Sequence, residues 1–328
     1  MNPSPLNIAV CIVSYNLVTE LRNLIASCVS LSGHSVTVHL FDHSPHPPVN
    51  AVGLAAAAGE IIGTDGKPVH VKLYPHGYNR GLCPGWNDGM LAAYGDCPNC
   101  WKDESNTVCI LVNDDIEFDA APIPTTKAEF FNDFDADVRL GWQWDGKSDI
   151  DRLAEYAHAH RELFMVTVLG YNKFYTDNPS PHPQFPNTLA GPWIGIGFSC
   201  FAVNPIALRT VGMCDENIVP IYFEDCDWGH RAVVSGLQMG ELKQTRITHY
   251  GSLSWRVDPE LHRQNSERAT PAIQKYFIRK WGNLPGGGDY YRTPFNASRF
   301  GMYIGPEYRR KPYGPLYDRT DIKTVVKI

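Results

Sequence analysis

Val108-Cys109-Ile110-Leu111-Val112-Asn113-Asp114-Asp115 is an unbroken apolar run that ends on one amide and two carboxylates. A short run rich in apolar and β-branched residues predicts a strand covered on both faces. Ligands of open α/β sheets gather beyond the carboxyl ends of such strands, which is where Asp114 and Asp115 fall. Magnesium and manganese take oxygen ligands and commonly combine one or two carboxylates with substrate phosphates. A two-carboxylate mouth therefore fits a cation carrying a diphosphate. Asn and Asp are also favoured turn formers, so the same three residues, taken alone, read equally as a turn that ends a strand.

Working outward, the chain repeats a strand, polar loop, helix pattern. Residues 7–13 form a strand-like run ending at Ser14-Tyr15-Asn16, and residues 19–29 carry Leu21, Leu24, Ile25 and Cys28 at helical spacing. Residues 36–41 predict a second strand, ending at Asp42-His43-Ser44 before Pro45, Pro47 and Pro48. Residues 69–73 predict a third, leading into Asn79-Arg80-Gly81 and Gly85-Trp86-Asn87-Asp88-Gly89. This alternation predicts an α/β fold, a mostly parallel central sheet flanked by helices with a ligand along one edge.

Residues 119–192 are less regular. Asp133, Asp135 and Asp137 lack the glycine and terminal glutamate of a calcium loop and read as a solvated acidic turn. Residues 164–169 are strand-like, while Asn178-Pro179 and Pro181-His182-Pro183 predict an extended loop. Residues 197–203 then predict a strand, and 205–211 a short helix stopped by Gly212. Tyr222-Phe223 precedes the acidic group Glu224-Asp225-Cys226-Asp227, residues 227–235 are helix-like, and 246–249 form a last short strand. Beyond Ser254 the pattern is helical over 271–281, then passes through Gly286-Gly287-Gly288 into an aromatic-rich irregular tail. The expected C-terminal part is thus a helical and irregular extension.

The 328 residues suffice for one large domain or two smaller ones with a sizeable core. A net charge of -6 argues against a nucleic-acid backbone as main partner, since that binding draws on clustered Lys and Arg. The one basic run, Arg309-Arg310-Lys311, reads as a solvated face or a contact for an anionic group. No apolar stretch approaches a membrane span, and Met1-Asn2-Pro3-Ser4-Pro5 lacks the charged and apolar parts of a secretion signal, so a soluble cytoplasmic protein is expected. The nine cysteines are an odd number, and Cys11, Cys109 and Cys200 lie in apolar runs where a thiol packs as a small hydrophobe, which fits reducing surroundings. The close pair Cys97 and Cys100 reads as an inert turn, a local disulfide, or half of a zinc site with Cys83 and a histidine.

Taken in order, these segments resemble the GT-A nucleotide-sugar glycosyltransferases, in particular the family 2 group that includes rhamnosyltransferase-like enzymes. The resemblance spans roughly residues 7–251. It rests on Val13-Ser14-Tyr15-Asn16, Asp42, the set Asn79, Gly81, Asn87 and Gly89, Asn113-Asp114-Asp115, Gly212-Met213-Cys214-Asp215-Glu216, Glu224-Asp225-Cys226-Asp227 with Arg231, and His249. It implies a nucleotide-sugar-binding half over 1–118, an acceptor-binding and catalytic half of the same domain over 119–255, and an extension over 256–328 packed on the core. It also implies that Ser14, Tyr15, Asn16 and Asp42 hold the nucleoside, that Asp115 holds Mn2+ or Mg2+, and that His249 completes the metal shell as in some members, a lone histidine at a strand end reading equally as a satisfied, partly buried imidazole. Asn113 departs from the Asp-x-Asp form of the motif and offers a weaker first ligand. The segment Tyr276-Phe277-Ile278-Arg279-Lys280-Trp281-Gly282 resembles the ends of some members, with packing on the catalytic core as its expected role and acceptor binding as the alternative.

Chemistry read from the residues agrees. Breaking a sugar-diphosphate bond places charge on the leaving oxygen, which a divalent cation stabilises. The attacking hydroxyl loses its proton to a carboxylate on the opposite face of the sugar, so displacement inverts the anomeric centre. The resemblance gives that role to Asp225, with Glu224 beside it and Asp227 toward the acceptor. The alternative for Asp225 and Asp227 is capping of the helix that leads to Arg231. Trp193, Tyr222 and Trp228 are candidates to cover the apolar faces of a sugar, or equally core residues. Gly81, Gly85 and Gly89 allow close backbone approach to a diphosphate, Asn79, Asn87, Asn113 and Asp114 complete the donor side, and Arg80 pairs with phosphate or a surface carboxylate. Asp42 suits the ring N–H of uracil or thymine, which tilts the donor toward a pyrimidine nucleotide. The acceptor stays open among a glycan, a lipid-linked saccharide, a protein and a modified base. Two other classes compete: a non-catalytic carbohydrate- or nucleotide-binding module, kept in play by Asn113, and a nucleotidyltransferase, disfavoured by the distant Glu224-Asp225 pair.

Overall fold

The computed structural model describes residues 4–44, 51–95, 105–127, 139–140, 142–173, 181–182, 185–189, 193–251, 253–281 and 283–284. In chain order, β1 (Asn7–Ser14), α1 (Thr19–Ser27), β2 (Ser35–Asp42), α2 (Ala51–Ala57), β3 (Val71–Pro75), α3 (Leu82–Tyr94) and β4 (Thr107–Asn113) form the first half. Strands β1, β2, β3 and β4 pair in parallel, in the order β3-β2-β1-β4. The register sets Ser14 beside Asp42 and Val13 beside Asn113, so three strands deliver their polar ends to one edge.

The second half adds β5 (Ile116–Glu117), α4 (Asp149–Ala159), β6 (Met165–Asn172), the pair β7 (Pro181–His182) and β8 (Phe185–Leu189), β9 (Trp193–Gly195), β10 (Cys200–Val203) and α5 (Pro205–Thr210). It continues with α6 (Glu224–Val234), β11 (Met239–Leu242), β12 (Thr248–His249), α7 (Leu253–Val257), α8 (Pro259–Gln264), a π-helix (Asn265–Ala269) and α9 (Thr270–Trp281). Strand β10 enters antiparallel between β4 and β6, and the path runs on through β12 to β5. The result is the mixed α/β architecture expected, a largely parallel sheet with helices on both faces.

Side-chain alternation along buried strands explains the two-sided core. Ile8, Val10 and Ile12 with Val108, Ile110 and Val112 face α1, α2 and α4 through Leu21, Leu24, Val52, Ile150 and Leu153. Ala9 and Cys11 with Cys109 and Leu111 face α3, α6 and α9 through Trp86, Met90, Trp228, Phe277 and Trp281. Cys11, Cys28, Cys83, Cys109, Cys200 and Cys214 are buried free thiols, as their apolar settings predict. Among the described residues no helix is long and apolar enough to cross a membrane.

Several local expectations change. Gly85 and Gly89 seat α3 on β1 and do not open space for a ligand: a Cβ there would lie 2.4 Å from Val13 Cγ2 and 2.7 Å from Cys11 Cβ. Residues 197–203 divide into a 3-10 turn at Gly197–Ser199, with Gly197 at φ +53°, and the strand β10. Helix α6 begins at Glu224, which places the acidic group inside its first turn, where the helix dipole favours negative charge. Pro181-His182, expected in a loop, pairs antiparallel with β8. Pro45, Pro47, Pro48, Cys97, Cys100, Asp133, Asp135, Asp137, Asn178, Pro179, Pro183, Gly282, Gly286, Gly287, Gly288, Arg309, Arg310 and Lys311 lie outside the described residues.

Helix α4 starts with a reciprocal cap between Ser148 and Asp151, and Asp151 also accepts the Leu31 and Ser32 N–H groups at 2.8 and 2.9 Å. Beside it Asp149 accepts from the Asp119 and Arg246 N–H groups, and Asp119 accepts from the Asp149 N–H at 3.1 Å. Burial, then the neighbouring Asp149, pushes the Asp119 carboxyl up to about 7. A carboxyl raised on folding holds its proton more tightly in the native state, so its contribution is favourable below about pH 4 and fades as pH climbs to about 7. Asp119→Asn keeps the accepting oxygen and suits the positive φ of this residue. The stability of the Asp119→Asn variant minus that of wild type is expected to rise by about 1–3 kcal/mol from pH 4 to pH 7 in urea titrations. A pH-independent difference would refute this.

Candidate active site

A cavity of about 210 Å³ opens at the carboxyl edge of β1, β2 and β4. Its wall gathers Tyr15, Asn79, Gly81, Asn113, Asp114, Asp115, Tyr222 and His249 from the residues singled out in the sequence, with His43 at the end of β2. Residues separated by more than 200 positions thus meet because parallel strands end at one level and β12 brings His249 to the same edge.

Asp115 and His249 form the centre. His249 Nε2 lies 3.4 Å from Asp115 Oδ1, the Leu253 N–H donates to Asp115 Oδ2 at 3.4 Å, and the Tyr250 N–H donates to the Asp115 carbonyl at 2.9 Å. Although burial raises the Asp115 carboxyl, the imidazole of His249 outweighs it and holds the group below the usual carboxylate range. Asp114 behaves oppositely. Burial, then the adjacent Asp115, pushes it up to about 8 even though the Tyr15 N–H donates to its Oδ2 at 2.8 Å. Two neighbouring carboxyls therefore divide the work: Asp115 carries charge into the cavity, and Asp114 ties β4 to the loop after β1.

The donor set suits a divalent cation that shares its shell with a ligand. Asp115 and His249 supply one oxygen and one nitrogen; Asn113 lines the same wall, but its Oδ1 is turned inward, buried and without a hydrogen-bond partner among the described residues. Among the described residues no cluster of three His, Cys, Asp or Glu side chains stands at metal spacing. Hard cations bound through one or two protein groups and substrate phosphates need no such cluster.

On the donor side, Asn79 Oδ1 accepts the Gly81 N–H at 2.9 Å and fixes the entry to α3. Gly81 has φ +88°, and a Cβ there would stand 3.0 Å from the Pro220 carbonyl, so this close approach does require glycine. Five other expected donor residues sit off the wall. Ser14 is fully buried, and Asn16 is exposed and donates its N–H to Ser44 Oγ at 3.1 Å. Asn87 is buried, bridging Cys214 and Glu216, and Arg80 pairs with Asp88. Asp42 is buried and accepts the Ser44 N–H at 2.9 Å, so His43 and not Asp42 lines the cavity. Burial, then His76 and Arg80, lowers the His43 imidazole to about 3, which keeps it neutral, and its Nε2 is buried with no hydrogen-bond partner among the described residues.

The acceptor-side expectations divide. Tyr222 lines the cavity, whereas Trp193 and Trp228 are core residues. Trp193 lies under the Arg139 guanidinium, 4.0 Å from its centroid, and Trp228 donates from Nε1 to the Gly212 carbonyl at 2.9 Å. Rings so enclosed have no free face for a sugar. Asp227 is likewise not a substrate contact but the centre of a dry ion network: Arg231 Nε donates to it at 2.9 Å, Lys280 Nζ at 2.6 Å and Trp281 Nε1 at 2.8 Å. Lys280 also reaches Asp215 at 2.7 Å, where Tyr276 donates at 2.7 Å. Burial opposes ionisation of Asp215, but the Lys280 ammonium overrides it and holds the carboxyl down at about 2.

This network fixes the start of α6. Just before it, Tyr222 and Phe223 adopt φ +82° and +69°, conformations that cost non-glycine residues about 1–3 kcal/mol each. The Phe223 ring packs 5.3 Å from Phe277 of α9. Asp225 follows in the first turn of α6, half-buried, its Oδ1 accepting the Cys226 N–H at 2.7 Å. Glu224 is buried, and burial followed by Asp225 pushes it up to about 8, so near neutrality it adds little charge beside Asp225. Neither Glu224 nor Asp225 belongs to the cavity wall, although Pro220, Ile221 and Tyr222 do. Sequence reading missed His43, Ser199, Ser254, Leu261 and Asn265 of that wall.

The fold is similar to that of solved glycosyltransferases. A mannosyltransferase from Pyrobaculum calidifontis, solved with GDP-Man and Mn2+, shares 11% identity at a TM-score of 0.47, over 99% of this chain and 73% of the other. Glucosyl-3-phosphoglycerate synthase from Mycobacterium tuberculosis, solved with Mn2+, UDP and glucosyl-3-phosphoglycerate, shares 11% identity at a TM-score of 0.45, over 86% of this chain and 82% of the other. No protein-family model and no curated protein sequence matches the chain.

Removing the ammonium from the ion network leaves two buried carboxylates facing one guanidinium. Lys280→Met is expected to lower the unfolding free energy by about 3–5 kcal/mol, read from urea denaturation. A loss below about 1 kcal/mol would show that the network contributes little to the fold.

Proposed function

We propose that this chain is an inverting glycosyltransferase of the family 2 kind its motifs resemble, moving a sugar from a nucleoside-diphosphate sugar to an acceptor hydroxyl. The observation that carries the reading is the Asp115–His249 pair, 3.4 Å apart, on one cavity wall with Asn113 at the carboxyl edge of a parallel sheet. Asp115 and His249 would hold Mn2+ or Mg2+. When bound, such a cation neutralises charge on the leaving diphosphate. The donor is placed with its diphosphate at that pair and its nucleoside toward Tyr15, His43 and Asn79.

Asp225 is the proposed general base. The acceptor oxygen attacks the anomeric carbon, the bond from that carbon to the diphosphate oxygen breaks, the proton passes to the Asp225 carboxylate, and the nucleoside diphosphate leaves. Support comes from its partly buried position in the first turn of α6, three and four residues beyond Tyr222 and Ile221 of the cavity wall, with Oδ1 held by the Cys226 N–H. Protonated Glu224 is the proposed acceptor-side hydrogen-bond donor. A pyrimidine preference would rest on Asp42, whose Oδ1 accepts the Ser44 N–H and which lies just behind the cavity wall at His43.

Asn113, an amide where a carboxylate would bind metal more strongly, favours as second reading a non-catalytic nucleotide- or carbohydrate-binding module. Two substitutions separate them. Asp225→Asn is expected to lower donor hydrolysis or transfer with Mn2+ by about 10²–10⁴-fold while leaving nucleotide affinity unchanged. Asp115→Asn with His249→Ala is expected to abolish the Mn2+-dependent rise in melting temperature given by UDP or GDP. Unchanged turnover in Asp225→Asn removes the base assignment, and nucleotide binding without any turnover in wild type supports the module.

A further inference from the structure

Helices α7 and α8 and the π-helix add Ser254, Leu261 and Asn265 to the cavity wall. Ser254 follows Leu253, whose N–H donates to Asp115 Oδ2 at 3.4 Å, so this segment begins beside the Asp115–His249 pair. Asn265 is 3% exposed and opens the π-helix Asn265–Ala269. Such turns are rare and concentrate at functional sites. The Thr270 hydroxyl donates to the Asn265 carbonyl at 2.8 Å and pins the turn. The side-chain Oδ1 is closed off from the cavity, which leaves Nδ2, a donor, as the polar atom that the amide turns toward it.

The rest of the wall gives that donor a use. Among the described residues that line the cavity there is no Lys and no Arg, while Asp114 and Asp115 are acidic. Arg80, the guanidinium closest in sequence to Asn79 and Gly81 of the wall, pairs with Asp88. A diphosphate bound here has a divalent cation on one side and no basic side chain to meet its remaining phosphoryl oxygens. Those oxygens are acceptors, and uncharged N–H and O–H groups bind them through charge-assisted hydrogen bonds. We propose that Asn265 Nδ2 and the Ser254 hydroxyl are neutral donors to the diphosphate, standing where a basic side chain would otherwise be needed. The proposal rests on the glycosyltransferase reading above and adds to it the groups that position the leaving diphosphate from the C-terminal side.

The test is calorimetric titration in Mn2+ of wild type, Asn265→Leu, Asn265→Asp and Ser254→Ala with inorganic pyrophosphate, UDP, GDP, UDP-glucose and GDP-mannose. Wild type is expected to bind pyrophosphate as well as a nucleotide. Asn265→Leu is expected to weaken both by a similar factor, about tenfold or more, whether or not the nucleotide carries its sugar. Asn265→Asp, which exchanges the donor for a second acceptor, is expected to weaken them at least as much. Ser254→Ala is expected to weaken them about threefold or more, and it carries the comparison should both Asn265 variants fail to fold. Weakening confined to the sugar nucleotides points to a sugar contact, weakening that spares pyrophosphate points to a nucleoside contact, and either overturns the proposal. So does recovery of affinity in Asn265→Asp, unchanged affinity in Asn265→Leu or in Ser254→Ala, or a wild type that binds UDP or GDP but not pyrophosphate. Should wild type bind none of the four nucleotides, the glycosyltransferase reading itself fails, an outcome settled before any variant is compared.

Discussion

Parallel pairing of β1 with β2 and with β4 is the constraint on which the site depends. Because Ser14 pairs with Asp42 and Val13 with Asn113, the strands stop being apolar at the same height, and every polar residue that follows is forced to one edge. A slip of one residue would turn the faces of β4 over and drive Asp114 and Asp115 out of place. The Tyr15 N–H to Asp114 bond ties the loops beyond the register at the edge itself. A buried carboxyl held near neutrality by burial and by Asp115 is acceptable in that role, since it serves as an acceptor and not as a charge.

The second organising feature is the ion network under α6. Asp215 and Asp227 face Lys280 and Arg231, two negative groups against two positive ones, in a region closed to water. Balanced burial of this kind resists dissection, because each partner removed leaves an uncompensated charge. It joins α9 to the helix that carries Glu224 and Asp225, and the Phe223–Phe277 contact extends the join to the strained turn before that helix. Two adjacent left-handed residues persist only where surroundings over-determine them, and α9 supplies those surroundings.

Much of the cavity wall is legible because strand ends are readable: apolar runs halt abruptly, and Tyr15, Asn79, Gly81, Asn113, Asp114 and Asp115 lie at or beyond such halts. His249 and Tyr222 were reachable by their order in the chain. Trp193 and Trp228, open in the sequence between a sugar contact and the core, fall in the core, and a tryptophan in either place has the same sequence surroundings. The indole of Trp228 and the carboxylate of Asp227 find partners in Gly212 and Lys280 that no local pattern announces. Helix α4 went unread although Ile150, Leu153, Ala154 and Ala157 repeat at helical spacing, since its capping residue Asp151 is shorter than the Glu or Gln of the usual box.

The opposite behaviour of Asp114 and Asp115 bears on how a cation would be held under the proposed reading. Beside Asp114, which accepts the Tyr15 N–H, and the amide Asn113, the wall offers the Asp115 carboxylate and the His249 imidazole. Such a set is weak for a bare hard cation, whose dehydration demands several charged oxygens. A diphosphate brings those oxygens with it. Under the proposed reading, cation and nucleotide sugar are therefore expected to enter as one unit.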